Sequence, residues 1–242
     1  MKLSGNKILI TGGASGIGLG LTERFLKEGN QVLICGRRED VLAAAKAKFQ
    51  GIETFVCDLG QEQERIRLFE WIKMEHSDLN VLVNNAGIQN WMKLGDGDFY
   101  QKAANEIAIN AMAPVHLASL FAGLGSIHTI MNVSSGLAFV PLTQVPVYCA
   151  TKAFIRSFTL SIRHLLKDKN IEVVEIIPPA LNTDLGAKGL HDAYPPVSEF
   201  IASIFEQLKA GKNELTFGTS EPRAKANNEA VVPYFNMMNG IK

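Results

Sequence analysis

The chain has 242 residues, of which 47% are hydrophobic and 20% charged, and its 24 basic residues balance its 24 acidic ones. This length and composition are typical of one globular α/β domain with a substantial core. A formal net charge of zero provides no basic footprint for nucleic acid. No stretch approaches the roughly 18 consecutive apolar residues that a membrane-spanning helix needs.

The cysteines and the N-terminus favour a cytoplasmic protein. Cys35, Cys57 and Cys149 are few and widely spaced, and they form no Cys-x-x-Cys pair, so reduced thiols are the plain interpretation. The N-terminus lacks the long apolar stretch of a signal peptide. The five histidines show no ligand spacing, and we predict no metal site. We expect no membrane or nucleic-acid partner.

Short apolar runs alternate along the chain with longer amphipathic stretches. Strands are predicted at residues 7–11, 31–35, 54–57, 80–83, 127–133, 171–177 and 214–217. Helices are predicted at residues 16–28, 39–49, 62–75, 99–121, 148–166 and 197–209. Pro114 is expected to kink or split the 99–121 helix, because proline lacks the backbone N–H that a helix interior needs.

This alternation predicts an α/β fold, a single Rossmann-type doubly wound parallel sheet of about seven strands with helices on both faces. We assign residues 1–242 to one dinucleotide-binding domain. Within it, 185–200 occupies the place of a substrate lid, and 219–242 is a tail of unclear structure. Ligands of such sheets bind at the carboxyl ends of the strands, so the residues that follow the strands are the candidate site.

The first strand leads into a glycine-rich loop, Thr11–Gly18, in which Gly12, Gly16 and Gly18 follow a Gly-x-x-x-Gly-x-Gly spacing. Glycines let the backbone approach a pyrophosphate closely, and the next helix offers its N-terminal amides to the negative charge. The alternative is a turn that needs glycine only for packing. The position between the first strand and the first helix favours the nucleotide interpretation.

The second strand leads into Arg37 and Arg38, with no acidic residue at the strand end. An acidic residue there would accept hydrogen bonds from the adenosine ribose of NAD(H). Arg37 instead offers a guanidinium to a 2′-phosphate, and Ser15 could add a hydroxyl. The pattern favours NADP(H), with NAD(H) possible, whereas a solvated arginine pair remains the alternative, chiefly for Arg38.

Two more polar positions follow strands. Asp58 comes after the third strand and either accepts a hydrogen bond from the adenine amino group or caps the helix that starts near Gln61. Asn84 opens an Asn-Asn-Ala-Gly turn after the fourth strand. Asparagine tolerates unusual turns and can bridge neighbouring strands, so a structural turn is the default interpretation of that motif.

Ser135 follows the fifth strand, and Tyr148 and Lys152 stand thirteen and seventeen positions later. Residues four apart share a helix face. An ammonium group beside a phenol stabilises the phenolate and lowers the tyrosine pKa toward a range useful for proton transfer. A lone Tyr-x-x-x-Lys is usually a surface pair, but Ser135 at the same sheet edge favours a catalytic set.

Together these motifs resemble the classical short-chain dehydrogenase/reductase family from about Lys7 to Thr183. The resemblance rests on Thr11–Gly18, Asp58, Asn84–Gly87, Asn110, Ser135 and the Tyr148–Lys152 pair, in the family's order and spacing. It implies cofactor-binding positions at Gly12, Ser15, Gly16, Ile17, Gly18, Arg37, Asp58, Asn84, Ala86, Gly87, Tyr148, Lys152, Pro178, Leu181 and Thr183.

The resemblance also implies catalytic roles. Tyr148 is the general acid in carbonyl reduction and the base in alcohol oxidation, while Lys152 lowers its pKa and binds the nicotinamide ribose. Ser135 hydrogen-bonds the substrate carbonyl oxygen, with Ser134 as the second choice by spacing. Asn110 holds a water that relays protons to Lys152. The implied activity is hydride transfer between NADP(H) and a small carbonyl or secondary-alcohol substrate.

Three further features qualify the resemblance. Pro179 stands where the family usually has glycine, although Thr183 and the Leu181 backbone can still meet the carboxamide. Residues 135–141 and 146–152 look like a bacterial subgroup that includes oxidoreductases encoded beside teichoic-acid D-alanylation genes. The family also implies a homodimer or homotetramer that pairs through the 99–121 and 148–166 helices.

A cofactor-binding regulator with little turnover is the alternative from another functional class. The complete catalytic set argues against this alternative, because enzymes that decay into regulators commonly lose the tyrosine or the lysine.

Overall fold

A seven-stranded parallel sheet organises the computed structural model, which describes residues 1–241. The spatial order of the strands is β3-β2-β1-β4-β5-β6-β7, and each neighbouring pair is parallel. The strands are β1 (Lys7–Thr11), β2 (Gln31–Gly36), β3 (Glu53–Val56), β4 (Val81–Asn84), β5 (Thr129–Val133), β6 (Glu172–Ile177) and β7 (Glu214–Thr216).

Helices cover both faces of the sheet. They are α1 (Gly16–Lys27), α2 (Glu39–Lys48), α3 (Glu62–Glu75), α4 (Phe99–Ile107), α5 (Ala113–Phe121), α6 (Pro146–Leu165), α7 (Val197–Lys209), α8 (Ser220–Ala224) and α9 (Asn228–Asn239). Alternate strand residues point to opposite faces, so Ile8 and Ile10 of β1 join a core with α1, α2 and α7. Leu9 joins a second core with α3, α5 and α6.

The predicted α/β fold is confirmed, with every predicted strand and helix present and its ends shifted by two residues or fewer. The largest strand difference is at β5, which begins at Thr129 rather than at Ile127. Ile127 is buried just ahead of the strand. The apolar pattern therefore extends beyond the residues that form the sheet hydrogen bonds and does not mark where the strand begins. The fold therefore places the strand ends where the sequence predicts a site.

The long helical region at 99–121 is divided, but not by a kink at Pro114. A π-helical segment, Ala108–Met112, lies between α4 and α5, and Pro114 stands in the first turn of α5. Proline removes an N–H that would pair four residues back, and the wider π turn takes up this gap without ending the helix. Such π segments are frequent at functional sites, and this one contains Asn110.

The C-terminal third corrects two expectations. The predicted lid at 185–200 is too long, because α7 already begins at Val197 and only 185–196 is irregular. The 219–242 tail, whose structure is unclear from the sequence, contains α8 and α9 within its described part. Within residues 1–241, every helix is too short or too polar to cross a lipid bilayer.

Candidate active site

A cleft of about 840 Å³ runs along the carboxyl edge of the sheet. Most of the predicted cofactor-binding residues line it. One end contains Gly12, Ser15, Gly16, Ile17, Arg37 and Asp58, and the other contains Ala86, Gly87, Tyr148, Lys152, Pro178 and Thr183. We call these the nucleotide end and the reactive end. Residues from the ends of six strands, β1 to β6, therefore meet in one concave site, as the sequence predicts.

The glycine-rich loop at the nucleotide end needs glycine for two different reasons. Gly12 and Gly16 have φ of +65° and +51°, a conformation that side chains disfavour. A β carbon on Gly18 would lie 2.2 Å from the Gly12 carbonyl oxygen. Gly18 is buried and does not line the cleft, so its role is to let α1 pack against the loop rather than to meet a cofactor.

Two further predicted cofactor contacts also lie outside the cleft lining. Asn84 is buried, and its Nδ2 donates to Asn132 Oδ1 at 2.9 Å, so the side chain bridges β4 to β5. Leu181 is 3% exposed and packs in the core beside α7. Both side chains support the strand ends that carry the site instead of forming its wall.

Asp58 lines the nucleotide end and stabilises the turn that precedes α3. Its Oδ1 accepts from the Gly60 backbone N–H at 3.0 Å, and its Oδ2 accepts from Gln61 Nε2 at 3.3 Å. The helix N-cap is Gln61 rather than Asp58. The capping alternative is therefore wrong in detail, because the carboxylate bonds the turn and not the amides of the helix.

Arg37 is exposed at the rim of the nucleotide end. Among the salt bridges of residues 1–241, neither Arg37 nor Arg38 has a carboxylate partner. A guanidinium without a protein partner, beside a loop that only glycine can form, suits a phosphate ligand. This end of the cleft therefore has the features that a phosphate-bearing ligand requires.

Tyr148 and Lys152 lie one turn apart near the start of α6 and face the reactive end. Both are buried, with exposures of 6% and 4%. Lys152 Nζ donates to the Val133 carbonyl oxygen at 2.9 Å and lies 5.4 Å from the centre of the Tyr148 ring. The ammonium is therefore fixed at the end of β5, beside the phenol and within the cleft.

Burial sets the proton affinities of this pair. It raises the pKa of Tyr148 well above its usual value, an effect that the nearby Ser135 hydroxyl partly offsets. It lowers the pKa of Lys152 to about 8, against a smaller opposing effect of Glu106. Burial is the largest effect on the phenol, and the expectation that the lysine lowers the tyrosine pKa stays a prediction.

The two serines after β5 have different environments. Ser134 is fully buried, and its hydroxyl donates to Glu175 Oε1 at 2.6 Å. The Ser135 hydroxyl oxygen accepts from the Leu137 N–H at 3.1 Å, and the hydroxyl lies near enough to Tyr148 to lower the pKa of the phenol. Ser134 lines the cleft but its hydroxyl is engaged by Glu175, whereas Ser135 is the hydroxyl beside the phenol.

Asn110 lies in the π-helical segment beneath the reactive end. Its Oδ1 accepts from the Ile88 N–H at 2.9 Å, and its Nδ2 donates to the Ile88 carbonyl at 2.8 Å. A β carbon on Gly87 would lie 3.3 Å from Asn110 Oδ1 and 3.6 Å from Lys152 Nζ. Asn110 therefore holds the loop after β4 against the lysine.

Sequence reasoning missed two buried acids. Glu106 lies one turn before Asn110 and is fully buried. Its Oε2 accepts from Asn90 Nδ2 at 3.1 Å, whereas its Oε1 has no partner among the described residues. Glu175 on β6 binds Ser134 and forms an ion pair with Arg156. Neither acid stands out in the sequence, because Glu106 lies on an amphipathic helix and Glu175 lies within an apolar strand whose pattern gives no sign of its partners.

The described part of the chain brings no three His, Cys, Asp or Glu side chains together in a way that could hold a metal ion.

A parallel Rossmann-type sheet with a glycine-rich loop and a buried Tyr–Lys pair in one cleft defines an oxidoreductase class. The family model described as short chain dehydrogenase matches residues 6–193, and the chain belongs to this family. It is therefore an oxidoreductase of the short-chain dehydrogenase/reductase type, and the resemblance stated from the motifs is confirmed.

Particular relatives agree with this assignment. The chain is 44% identical over 230 residues to the uncharacterized oxidoreductase DltE of Bacillus subtilis (strain 168), with 89% of each chain covered. This match supports the finer bacterial subgroup. A short chain dehydrogenase from Burkholderia cenocepacia, solved with NADP, has a TM-score of 0.82 at 21% identity and covers 97% and 99% of the two chains. One from Burkholderia phymatum, solved with NAD, has a TM-score of 0.83 at 16% identity and covers 100% and 98%.

Proposed function

We propose that this enzyme transfers a hydride between NADP(H) and a carbonyl or secondary-alcohol substrate, with Tyr148 as the general acid and base. The observation that carries the proposal is the buried Tyr148–Lys152 pair, which lies in the same cleft as the glycine-rich loop. The solved relatives that contain NADP and NAD support a nicotinamide cofactor in this cleft.

The nucleotide end supports NADP(H) as the preferred form of the cofactor. The amides at the start of α1 would bind the diphosphate, because helix N-termini attract anions. Arg37 would pair with the 2′-phosphate and Asp58 would accept from the adenine amino group. Pro178 and Thr183 line the opposite end, where the carboxamide would lie. NAD(H) remains the alternative form, as it lacks only the group that Arg37 would bind.

When bound, the cofactor supplies or accepts the hydride at the carbonyl carbon. Negative charge develops on the carbonyl oxygen during reduction, and a donor placed in advance stabilises it. Ser135 would donate a hydrogen bond to this oxygen, and Tyr148 would give it a proton. Lys152, as an ammonium beside the ring, would then stabilise the phenolate. In oxidation the same groups act in reverse.

Asn110 positions this machinery rather than entering the reaction. Its amide fixes the Ile88 backbone and so the Ala86–Gly87 turn, beside which the lysine lies. A water held here would connect Lys152 to solvent and replace the proton that Tyr148 gives up. Residues 185–196 would close over the substrate, as loops beside such sites often do.

Substituting Tyr148 by Phe tests the proposal directly. The variant keeps the ring that packs in the core and removes only the proton donor. NADPH-dependent reduction across a panel of aldehydes and ketones should fall by at least about 100-fold, while NADPH affinity, measured by fluorescence titration, stays within about twofold. A protein that binds NADPH but reduces none of these carbonyls, with or without the hydroxyl, would support the regulator alternative instead.

We also propose that the enzyme is cytoplasmic and assembles as a homodimer or homotetramer through the α4–α5 region and α6. Ile107, Met112, Phe154 and Leu160 on these helices are 43 to 51% exposed, and an apolar surface of this kind suits burial in a subunit interface. Light scattering after size exclusion should give two or four times 26.4 kDa. A monomer at micromolar concentration would contradict the proposed assembly.

A further inference from the structure

The arginines of this chain fall into two groups, those whose guanidinium donates to an acceptor within the protein and those whose guanidinium does not. Five of the eight bond carboxylates, backbone carbonyls or a histidine: Arg24, Arg65, Arg67, Arg156 and Arg163. Within residues 1–241, leaving aside the Asn228 side chain, Arg37, Arg38 and Arg223 have no such acceptor. The first two are exposed at the nucleotide end, so Arg223 is the one that needs a separate explanation.

Arg223 lies beside the loop that carries Ser135. It belongs to α8, which the Ser220 hydroxyl fixes to the end of β6 by donating to the Ile177 carbonyl at 2.6 Å. A β carbon on Gly136 would lie 3.2 Å from Ser220 Cβ and 3.6 Å from Arg223 Cδ. The aliphatic part of Arg223 therefore packs against the residue that directly follows Ser135.

The guanidinium is half-buried and has no counter-ion nearby. Burial lowers the pKa of Arg223, and the groups that oppose this effect are two phenols, Tyr194 before α7 and Tyr234 on α9. No carboxylate, including Asp184 and Asp192 of the preceding loop, is close enough to raise its pKa. Removing water from a cation without an opposite charge is unfavourable, and this arrangement is common where a ligand supplies the charge.

We propose that Arg223 binds a carboxylate group of the substrate, so that the enzyme acts on oxo acids and their hydroxy-acid counterparts. The inference rests on the proposed function, because it places the carbonyl at Ser135 and Tyr148. A guanidinium forms two parallel hydrogen bonds with a carboxylate. A phosphate group is less suitable, since one half-buried guanidinium supplies a single positive charge against nearly two negative ones.

The proposal also assigns a role to the C-terminal segment. Tyr194 lies in the irregular stretch before α7 and Tyr234 on α9, and both phenols are close enough to affect the charge of Arg223. A bound carboxylate would draw these elements together around the substrate. Specificity would therefore come from residues after β7, outside the 6–193 range that the family model matches.

Matched substrates test this inference. The probes are 4-oxobutanoate, 3-oxobutanoate and 4-oxopentanoate, each beside its methyl ester, with NADPH in excess. We expect at least one acid to show a kcat/KM about tenfold or more above that of its ester. Arg223→Gln should abolish this ratio and leave the ester within about twofold of the original enzyme. Lys225→Gln, an exposed change in the same segment, should preserve the ratio.

Other outcomes separate this inference from the proposed function. If esters are reduced in a Tyr148-dependent way and Arg223→Gln does not alter the acid-to-ester ratio, the inference is wrong and the function stands. If Arg223→Gln only changes the assembly size in light scattering, the arginine serves a subunit contact and the inference again fails.

Titration of the NADPH-loaded Tyr148→Phe variant measures acid binding without turnover, and no binding of any acid overturns the inference. No reduction of any carbonyl overturns the proposed function itself.

Discussion

The two ends of the cleft are constructed in different ways. At the nucleotide end, one short segment, residues 12–17, provides much of the surface, and Arg37 is exposed at the rim. At the reactive end, buried side chains from several elements converge, and burial shifts the pKa values of Tyr148 and Lys152 in opposite directions. We therefore expect changes at the first end to act on cofactor affinity, and changes at the second to act on rate and pH dependence.

The strongest test of this division is Lys152→Met, which keeps the length of the side chain and removes its charge. We expect kcat/KM for carbonyl reduction to fall about 100- to 10,000-fold, because the phenolate loses its stabilising cation. Thermal stability should stay equal or rise, since the ammonium is buried and, among the described residues, bonds only the Val133 carbonyl. A lowered melting temperature together with a rate loss below about tenfold would show that the lysine is structural.

Arg37→Gln tests the opposite end. The dissociation constant for NADPH should rise about 10- to 100-fold, because hydrogen bonds to a charged phosphate contribute about 1.5–3 kcal/mol. The constant for NADH should stay nearly unchanged, and kcat at saturating cofactor should remain close to the original. Arg38→Gln is the matched control, with a smaller effect. Equal weakening of both cofactors would mean that Arg37 does not meet the 2′-phosphate.

Gly18→Ala distinguishes packing from contact at the nucleotide end. The added β carbon would lie 2.2 Å from the Gly12 carbonyl oxygen, so the loop and α1 must move apart. We expect the free energy of unfolding to fall by about 1–3 kcal/mol and both NADPH and NADH to bind more weakly. Denaturant titration measures the first effect and fluorescence the second. Unchanged stability with weaker binding would instead place Gly18 in direct contact with the cofactor.

The same contrast explains how much the sequence reveals. The fold and the nucleotide end follow from local signals: continuous apolar strands, one glycine-rich loop and an arginine at a strand end. The reactive end depends on which buried groups meet, and spacing alone does not give that. Gly18, Asn84 and Leu181 are in register with the motifs but lie outside the lining of the cleft, because a motif fixes spacing and not which residues reach the cleft surface.

Charges brought together from distant segments are harder still. Glu106 and Arg223 acquire their meaning from neighbours that lie more than ten residues away, Asn90 for the first and Gly136 for the second. No periodicity marks such residues, since a charged side chain on an amphipathic helix is usually solvated. They become recognisable only when burial and missing partners are both known.

Glu106 gives the smallest and most specific prediction. Its carboxyl group is fully buried in α4, and the titratable groups that it affects from α6 are Lys152, Tyr148 and Cys149. Burial raises the pKa of Glu106 to about 7, whereas that of Lys152 is lowered to about 8. Reduction needs the ammonium form, so kcat/KM of the original enzyme should decline as the pH rises through about 8.

Glu106→Gln should move that decline to lower pH. The ionised carboxylate raises the pKa of Lys152, and the amide cannot, so the ammonium loses its proton earlier as the pH increases. We expect a shift on the order of one pH unit or less, with kcat/KM at pH 6 little changed. Glu75→Gln, an exposed change at the far end of α3, should leave the profile in place. A shift toward higher pH would mean that the carboxylate destabilises the ammonium, which contradicts the attraction expected between the two charges. An unchanged profile would mean that solvent screens the two groups from each other.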